Sequence, residues 1–309
     1  MDKYVLRSLM FVPGNNEKLM NSASRCGADC LLPDIEDSVQ PLSEKGNARN
    51  MIRSFVESGK FEGKYVFPRV NDRESGCLLE DIETLMIPGV DGFMYPKSET
   101  GRDVYFFDKL LETLEYKKGV PVGTFKIIPL IETGAAVLNV QDICQSSKRV
   151  IAIAFGCEDF VKDIRGIHDK DEETLSTPRS IIAMGARANN VIPIDTVHIK
   201  VHDLEDLEKN LKIAKNFGFE GMLTLHPKEL SLVHEYFSPS EKEYEHSREV
   251  LRLASEAESS GKGVAILNGK FIGPPMVATA KNVIERYELI KERETDTSNV
   301  KEFPKLKVA

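Results

Sequence analysis

Acidic side chains and one arginine recur at a particular kind of place in this chain, just beyond short apolar runs. Asp34-Ile35-Glu36-Asp37 follows one run and Pro68-Arg69-Val70-Asn71 the next. Pro96-Lys97-Ser98-Glu99, Ile131-Glu132-Thr133 and Gly156-Cys157-Glu158-Asp159 follow three more. Carboxylates gathered from separate elements suit a hard divalent cation. Mg²⁺ takes one or two of them and completes its shell with waters and substrate oxygens. An arginine beside such a cation can grip a carboxylate through two parallel hydrogen bonds or stabilise a developing oxyanion. For any single acid, capping the next helix or plain solvation is the simpler role. Glu132, Asp159 and Arg69 make a stronger set, because each directly follows a run apolar enough to be buried, where a charge needs a partner. Glu36 and Asp37, with Asp34 and Lys97 beside them, fit a supporting role around Arg69 or a metal-bound water.

The elements that must position these groups alternate. Eight β-branched or apolar runs, at about 5–12, 29–35, 65–70, 92–95, 126–131, 150–155, 196–201 and 221–225, read as strands. Most are followed by a turn and a stretch of helical period, at about 16–26, 43–57, 101–116, 133–145, 178–190, 204–217 and from 227. Strand–helix alternation implies a parallel sheet, and eight repeats imply closure into a (β/α)8 TIM barrel over 1–237. The rival is a doubly wound open sheet. Its usual nucleotide fingerprints, GxGxxG after the first strand and GxxxxGK[ST], are missing. In a barrel, catalytic groups sit at the C-terminal strand ends, where the four acid-bearing segments and the arginine segment fall. Beyond the barrel, 238–291 reads as a lid or oligomerisation segment. It has a charged helix over 240–260, a hairpin over 263–272 around Asn268-Gly269, and a helix over 275–291. Residues 292–309 read as a polar tail.

Composition limits the partners. The 309 residues carry 41 Lys and Arg against 49 Asp and Glu, a net charge of −8 that argues against nucleic acid or an anionic membrane as the main partner. No apolar run approaches the ~20 residues a membrane span needs. The opening MDKYVLRSLMFVPG has too short an apolar core for a signal peptide and enters a strand pattern directly. Five scattered cysteines without CxxC pairing point to reduced thiols and a cytoplasmic protein.

Other signals carry less. His198 and His202 have i,i+4 spacing but bracket an expected strand end and lack the glutamate of HExxH. Cys157 has no adjoining base and reads as a small side chain beside the acids rather than a nucleophile. Cys26 and Cys30 lack a second ligand pair. Ser8 and Ser38 have no GxSxG elbow.

RSLMFVPGNN at 7–16, DIEDSV at 34–39, FPRVN at 67–71, YPKSET at 95–100, PLIETGAAVLNV at 129–140 and AFGCEDF at 154–160 occur in one order and spacing. GFEGMLTLHPKEL at 218–230 and AILNGKFIGPP at 265–275 follow. Together, over about 7–290, they resemble the citrate lyase β-subunit-like branch of the HpcH/HpaI aldolase/citrate lyase family. The resemblance implies a Mg²⁺-dependent barrel that cleaves or forms a C–C bond between an acyl-CoA thioester and a 2-oxo acid. It implies metal ligation by Glu132 and Asp159 and substrate binding by Arg69. It also implies receipt of the oxo-acid carboxylate around Gly156, Cys157, Glu158 and Asp159, and a place for His226 near the thioester, although a histidine before proline is also an ordinary turn residue. A homo-oligomer, trimer or hexamer, follows from the lid.

One departure stands out. Many relatives carry an aspartate after the NGK hairpin, donated to a neighbouring subunit as acid–base residue. Here Gly273 stands there, and no acid lies between Lys270 and Lys281. A glycine cannot move a proton, so another group or water does so, or reactions that need that aspartate are not run. The leading reading is a Mg²⁺-dependent lyase of citryl-, citramalyl- or malyl-CoA-type thioesters. The alternatives are an aldolase of free 4-hydroxy-2-oxo acids, and a β-type subunit or ligand-binding protein that needs partner chains.

Overall fold

Runs rich in Ile, Leu, Val and Phe with no polar alternation demand cover on both faces. Every residue of Cys30–Asp34, Gly92–Tyr95, Ala152–Phe155 and Gly221–Thr224 is indeed buried. The computed structural model describes residues 4–168, 172–259, 265–267 and 269–295. Its eight parallel strands are β1 Ser8–Pro13, β2 Cys30–Asp34, β3 Tyr65–Val66, β4 Gly92–Tyr95, β5 Lys126–Ile131, β6 Ala152–Phe155, β7 Ile192–Asp195 and β8 Gly221–Thr224. They pair in the order β3-β2-β1-β8-β7-β6-β5-β4. Gly221 lets β8 start against β1, since a Cβ there would lie 1.9 Å from the Leu6 carbonyl oxygen.

The remaining seam closes through Arg69, whose backbone bridges Asp34 on one side and Met94 on the other. Arg69 N–H donates to Pro33 O at 2.9 Å, and Met94 N–H donates to Pro68 O at 3.0 Å. Regular β3 is only two residues long, against the six expected, because Pro68 has no N–H for the ladder. The barrel is therefore nearly closed, and its weakest seam carries the arginine.

The seventh strand lies earlier than 196–201. Val197, Ile199 and Val201 give that stretch a strand-like pattern, and Pro193 argues against the true strand, yet Ile192–Asp195 is the paired segment. Thr196 consequently begins the loop at the strand's C-terminal end. The helix expected over 133–145 divides at Asn139 into Gly134–Leu138 and Val140–Gln145. The one over 178–190 runs Glu173–Ala188 and accommodates Pro178 near its start. Leu78–Leu85 and Cys157–Asp163 are helices that the periodicity did not reveal. No described helix is long and apolar enough to cross a membrane.

The chain divides into two compact units. Leu6–Val233 carries the barrel; the other begins at His234 and takes in Tyr4 and Val5. The second unit pairs the antiparallel strands β9 Ala265–Leu267 and β10 Lys270–Ile272, with Phe271 opposite Ile266. Residues 263, 264 and 268 of the expected hairpin lie outside the described residues. Val250, Ile272 and Ala280 form the small core of this unit, and Tyr244 stacks on Tyr287 at 4.3 Å. Helix Pro274–Thr295 continues through 292–295. The rest of the expected tail, 296–309, lies outside the described residues.

Candidate active site

Closing the seam with an arginine places its side chain among the acids that end β2. Arg69 Nε donates to Asp34 Oδ1 at 2.7 Å and Nη2 to Asp34 Oδ2 at 2.8 Å, a two-point grip. Its Nη1 lies 2.9 Å from Glu36 Oε2 and 3.2 Å from Asp37 Oδ2. Phe11 presents its ring 5.0 Å from the guanidinium carbon. Burial alone would lower the Arg69 pKa and raise that of Asp34. The close ion pair outweighs it in both, raising the first and lowering the second.

Glu36 is treated less well. It is buried and within ion-pair distance of Arg69 and of Lys97 Nζ (3.4 Å), yet neither of its oxygens accepts an aligned hydrogen bond. Burial, with the negative charges of Asp37 and Glu132, pushes its carboxyl up to about 8 against the pull of Arg69 and Lys97. That direction favours the protonated acid over the carboxylate near neutral pH.

Glu132 follows the last residue of β5 and is 3% exposed. Its Oε1 accepts the Lys97 backbone N–H at 2.6 Å. Lys97 makes that contact from left-handed backbone, φ +50°, while its Nζ is tied to Asp72 Oδ2 at 2.6 Å. Burial first, and then Asp159, pushes Glu132 up to about 7. Asp159 lies in the first turn of the helix Cys157–Asp163 after β6. Gly156 keeps the space beside Glu132 open, because a Cβ there would sit 3.0 Å from Glu132 Cβ and 3.3 Å from its Oε2.

The groups converge. One cavity of about 570 Å³ is lined by Asp34, Asp37, Arg69, Glu132 and the turn 156–159, with Leu130, Leu223 and Leu225 among its apolar walls. A second, of about 510 Å³, shares Glu132 and Asp159 with it and adds Asp72, Lys97 and Lys162. Glu132 and Asp159 offer only hard oxygen donors, repel one another, and line the same cavity. That donor set fits Mg²⁺ or a similar hard dication.

Cys157 is buried, and burial pushes its thiol up to about 12, so it is no ready nucleophile. His226 is not among the cavity-lining residues. Its ring meets His202 at 5.3 Å, its Nδ1 accepts the Lys228 N–H, and burial followed by His202 and Lys228 lowers its pKa. His198 turns instead to Asp206, 3.1 Å away, so the two histidines of the i,i+4 pair diverge. Two site residues escaped the sequence reading. Thr196 lines the cavity and accepts the Cys157 N–H at 3.2 Å, and Asp72 anchors Lys97. Placing β7 at Ile192–Asp195 would have put Thr196 at a strand end and exposed the first.

The model of the HpcH/HpaI aldolase/citrate lyase family matches residues 7–227. The citrate lyase subunit beta of Haemophilus influenzae is 32% identical over 91% of this chain and 96% of its own length. The human mitochondrial citramalyl-CoA lyase is 30% identical over 94% of this chain and 88% of its own. Among solved structures, Mycobacterium tuberculosis CitE in complex with magnesium, acetoacetate and coenzyme A superposes with a TM-score of 0.71. It is 22% identical and covers 91% of this chain and 97% of that one.

Proposed function

The chain belongs to the HpcH/HpaI aldolase/citrate lyase family, and from that premise we propose that it is a Mg²⁺-dependent carbon–carbon lyase. Its substrate is a citryl-, citramalyl- or malyl-CoA-type thioester, cleaved to or formed from an acyl-CoA and a 2-oxo acid. The observation that carries this reading is the convergence of Glu132, Asp159 and Arg69 on one cavity. The names of the relatives and the magnesium and coenzyme A held by the M. tuberculosis protein support it.

Glu132 and Asp159 would hold the metal, which supplies Lewis-acid polarisation of the oxo-acid carbonyl when bound. The turn Gly156, Cys157, Glu158 and Asp159 lies beside them to receive the oxo-acid carboxylate, with Thr196 fixing Cys157. Arg69 faces the same space. Three of its five N–H donors are taken by Asp34 and Asp37, and Glu36 lies within ion-pair distance, so the guanidinium is held in place with donors to spare. As the C–C bond breaks, negative charge grows on the thioester oxygen, and a fixed cation there stabilises it without reorganising. Glu36, favoured in its neutral form by burial, adds little negative charge to offset that of Arg69. Asp34 and Asp37 orient Arg69, and Lys97 orients Glu132 through its backbone N–H.

We assign 238–291 to oligomerisation, with a trimer or hexamer as the assembly, and the cytoplasm as the compartment. The five free cysteines agree with the latter. His226 is proposed to face the thioester arm. A panel of acyl-CoAs and 2-oxo acids assayed with Mg²⁺ tests the whole reading: turnover that survives exhaustive EDTA treatment sinks it.

A second reading has its own observation. Gly273 stands where the family resemblance implies an acid, and the H. influenzae relative is named as a subunit. On that reading the chain is a β-type subunit that needs partner chains, and robust turnover by the purified chain alone removes it.

A further inference from the structure

Apart from the Glu132–Asp159 pair, another group of metal-ligating side chains converges among the described residues: Cys157, Glu158 and His168. One ligand atom from each lies within 4.8 Å of the other two. His168 Nδ1 stands 2.9 Å from Glu158 Oε1, and Cys157 Sγ stands 3.6 Å from the same oxygen. A tetrahedral zinc ion with normal bond lengths holds sulfur and oxygen ligands roughly 3.5 Å apart and nitrogen and oxygen roughly 3.3 Å apart. The sulfur–oxygen spacing already matches. The nitrogen–oxygen spacing must open by roughly 0.4 Å. The sulfur–nitrogen spacing, within 4.8 Å here, must settle at roughly 3.5 Å, and rotations of the Glu158 and His168 side chains supply both changes.

We propose that Cys157, Glu158 and His168 form a binding site for zinc or a zinc-like divalent cation. The donors decide the metal. Thiolate and imidazole prefer zinc, whereas the all-carboxylate pair Glu132 and Asp159 prefers magnesium. Two neighbouring sites are thereby kept apart by donor softness rather than by distance. Entry is open, because Cys157 and Glu158 line the 570 Å³ cavity and Glu158 is 55% exposed. Three protein ligands leave one position of a tetrahedral shell for water. On binding, the Cys157 S–H bond breaks, a metal–sulfur bond forms, and the proton passes to solvent. The bound ion would tie the first turn of the helix Cys157–Asp163 to the loop at His168, immediately beside Asp159.

Cobalt reports on such a site without reference to turnover, so the test is independent of the proposed reaction. The reduced full chain is titrated with Co²⁺ and then with Zn²⁺. The expected result is one equivalent of Co²⁺ giving a near-ultraviolet sulfur-to-cobalt absorption, displaced by Zn²⁺ but not by excess Mg²⁺. Cys157→Ser abolishes the band, and His168→Ala weakens Co²⁺ binding by roughly tenfold or more, the scale that even an outer-shell loss produces. Asp159→Asn retains the band. No band in the wild type, a band that survives Cys157→Ser, or affinity unchanged in His168→Ala overturns the site. Displacement by Mg²⁺ overturns the division of metals.

Discussion

Among the buried arginine–carboxylate clusters of the described residues, two at opposite ends of the barrel strands are finished to different standards. At the N-terminal end, Arg149 grips Glu115 through 2.7 and 2.6 Å bonds, donates to the Phe125 carbonyl, and contacts Asp108. Glu115 additionally accepts the N–H groups of Gly123 and Phe125 at 3.0 Å each. Both of its oxygens are spoken for. At the C-terminal end, Arg69 is as well gripped by Asp34, yet Glu36 beside it has two buried oxygens without an aligned donor, and Glu132 is pushed up to about 7. A saturated buried network rigidifies, whereas one left short of donors is strained toward whatever ligand completes it. The difference matches the division of labour in this fold, with stability at one face of the barrel and chemistry at the other.

The two ends of the barrel should respond in opposite ways to substitution. Glu132→Ala or Asp159→Ala is expected to lower metal-dependent turnover by about three orders of magnitude, the several kcal/mol that a catalytic metal contributes. Both variants should unfold near the wild-type denaturant midpoint. Arg149→Met should do the opposite. It leaves Glu115 and Asp108 with uncompensated buried charge, so stability falls by about 3–5 kcal/mol in denaturant unfolding, while the folded fraction keeps its kcat. A variant of Arg149 that is stable but inactive would erase the distinction.

Arg69→Lys separates charge from geometry at the C-terminal end. The ammonium keeps the charge but cannot grip Asp34 at two points while still offering a fixed donor to the cavity. Turnover is expected to fall about a hundredfold, the scale of one lost oxyanion donor, with the loss mainly in kcat. A drop confined to KM would recast Arg69 as a residue that only binds.

The contrast between the two ends was only half legible in the sequence. Strand ends were readable because apolar runs stop abruptly at Asp34, Arg69, Glu132 and Gly156, and a barrel turns such stops into one mouth. The Arg149–Glu115–Asp108 cluster was not, because its members are 34 and 41 residues apart and no local pattern marks them. Thr196 was missed through a misplaced strand: Pro193 reads as a breaker, but parallel pairing with Ile153 tolerates it. Glu36 was placed near Arg69 by its position two residues after β2. Its lack of an aligned donor depends on where Arg69 and Lys97 point, and that is decided by packing rather than by neighbours in the chain.

Glu36 supplies the smallest and most specific effect. Its folded carboxyl sits at about 8, against an ordinary value of 4.5. Between those values the folded protein holds a proton that the unfolded chain has released. Its contribution to stability is therefore complete below about 4.5, declines as pH rises, and is lost once pH passes about 8. Glu36→Gln has no proton to lose and keeps a neutral group of the same shape. Measured in EDTA, so that metal binding does not intervene, wild type should lose about 1 kcal/mol relative to Glu36→Gln between pH 7 and pH 8. Urea midpoints for the two proteins across that interval give the difference directly. Parallel midpoints would mean that Glu36 is already ionised at neutral pH and that Arg69 shares its charge among three carboxylates, which would make the two ends of the barrel equally compensated.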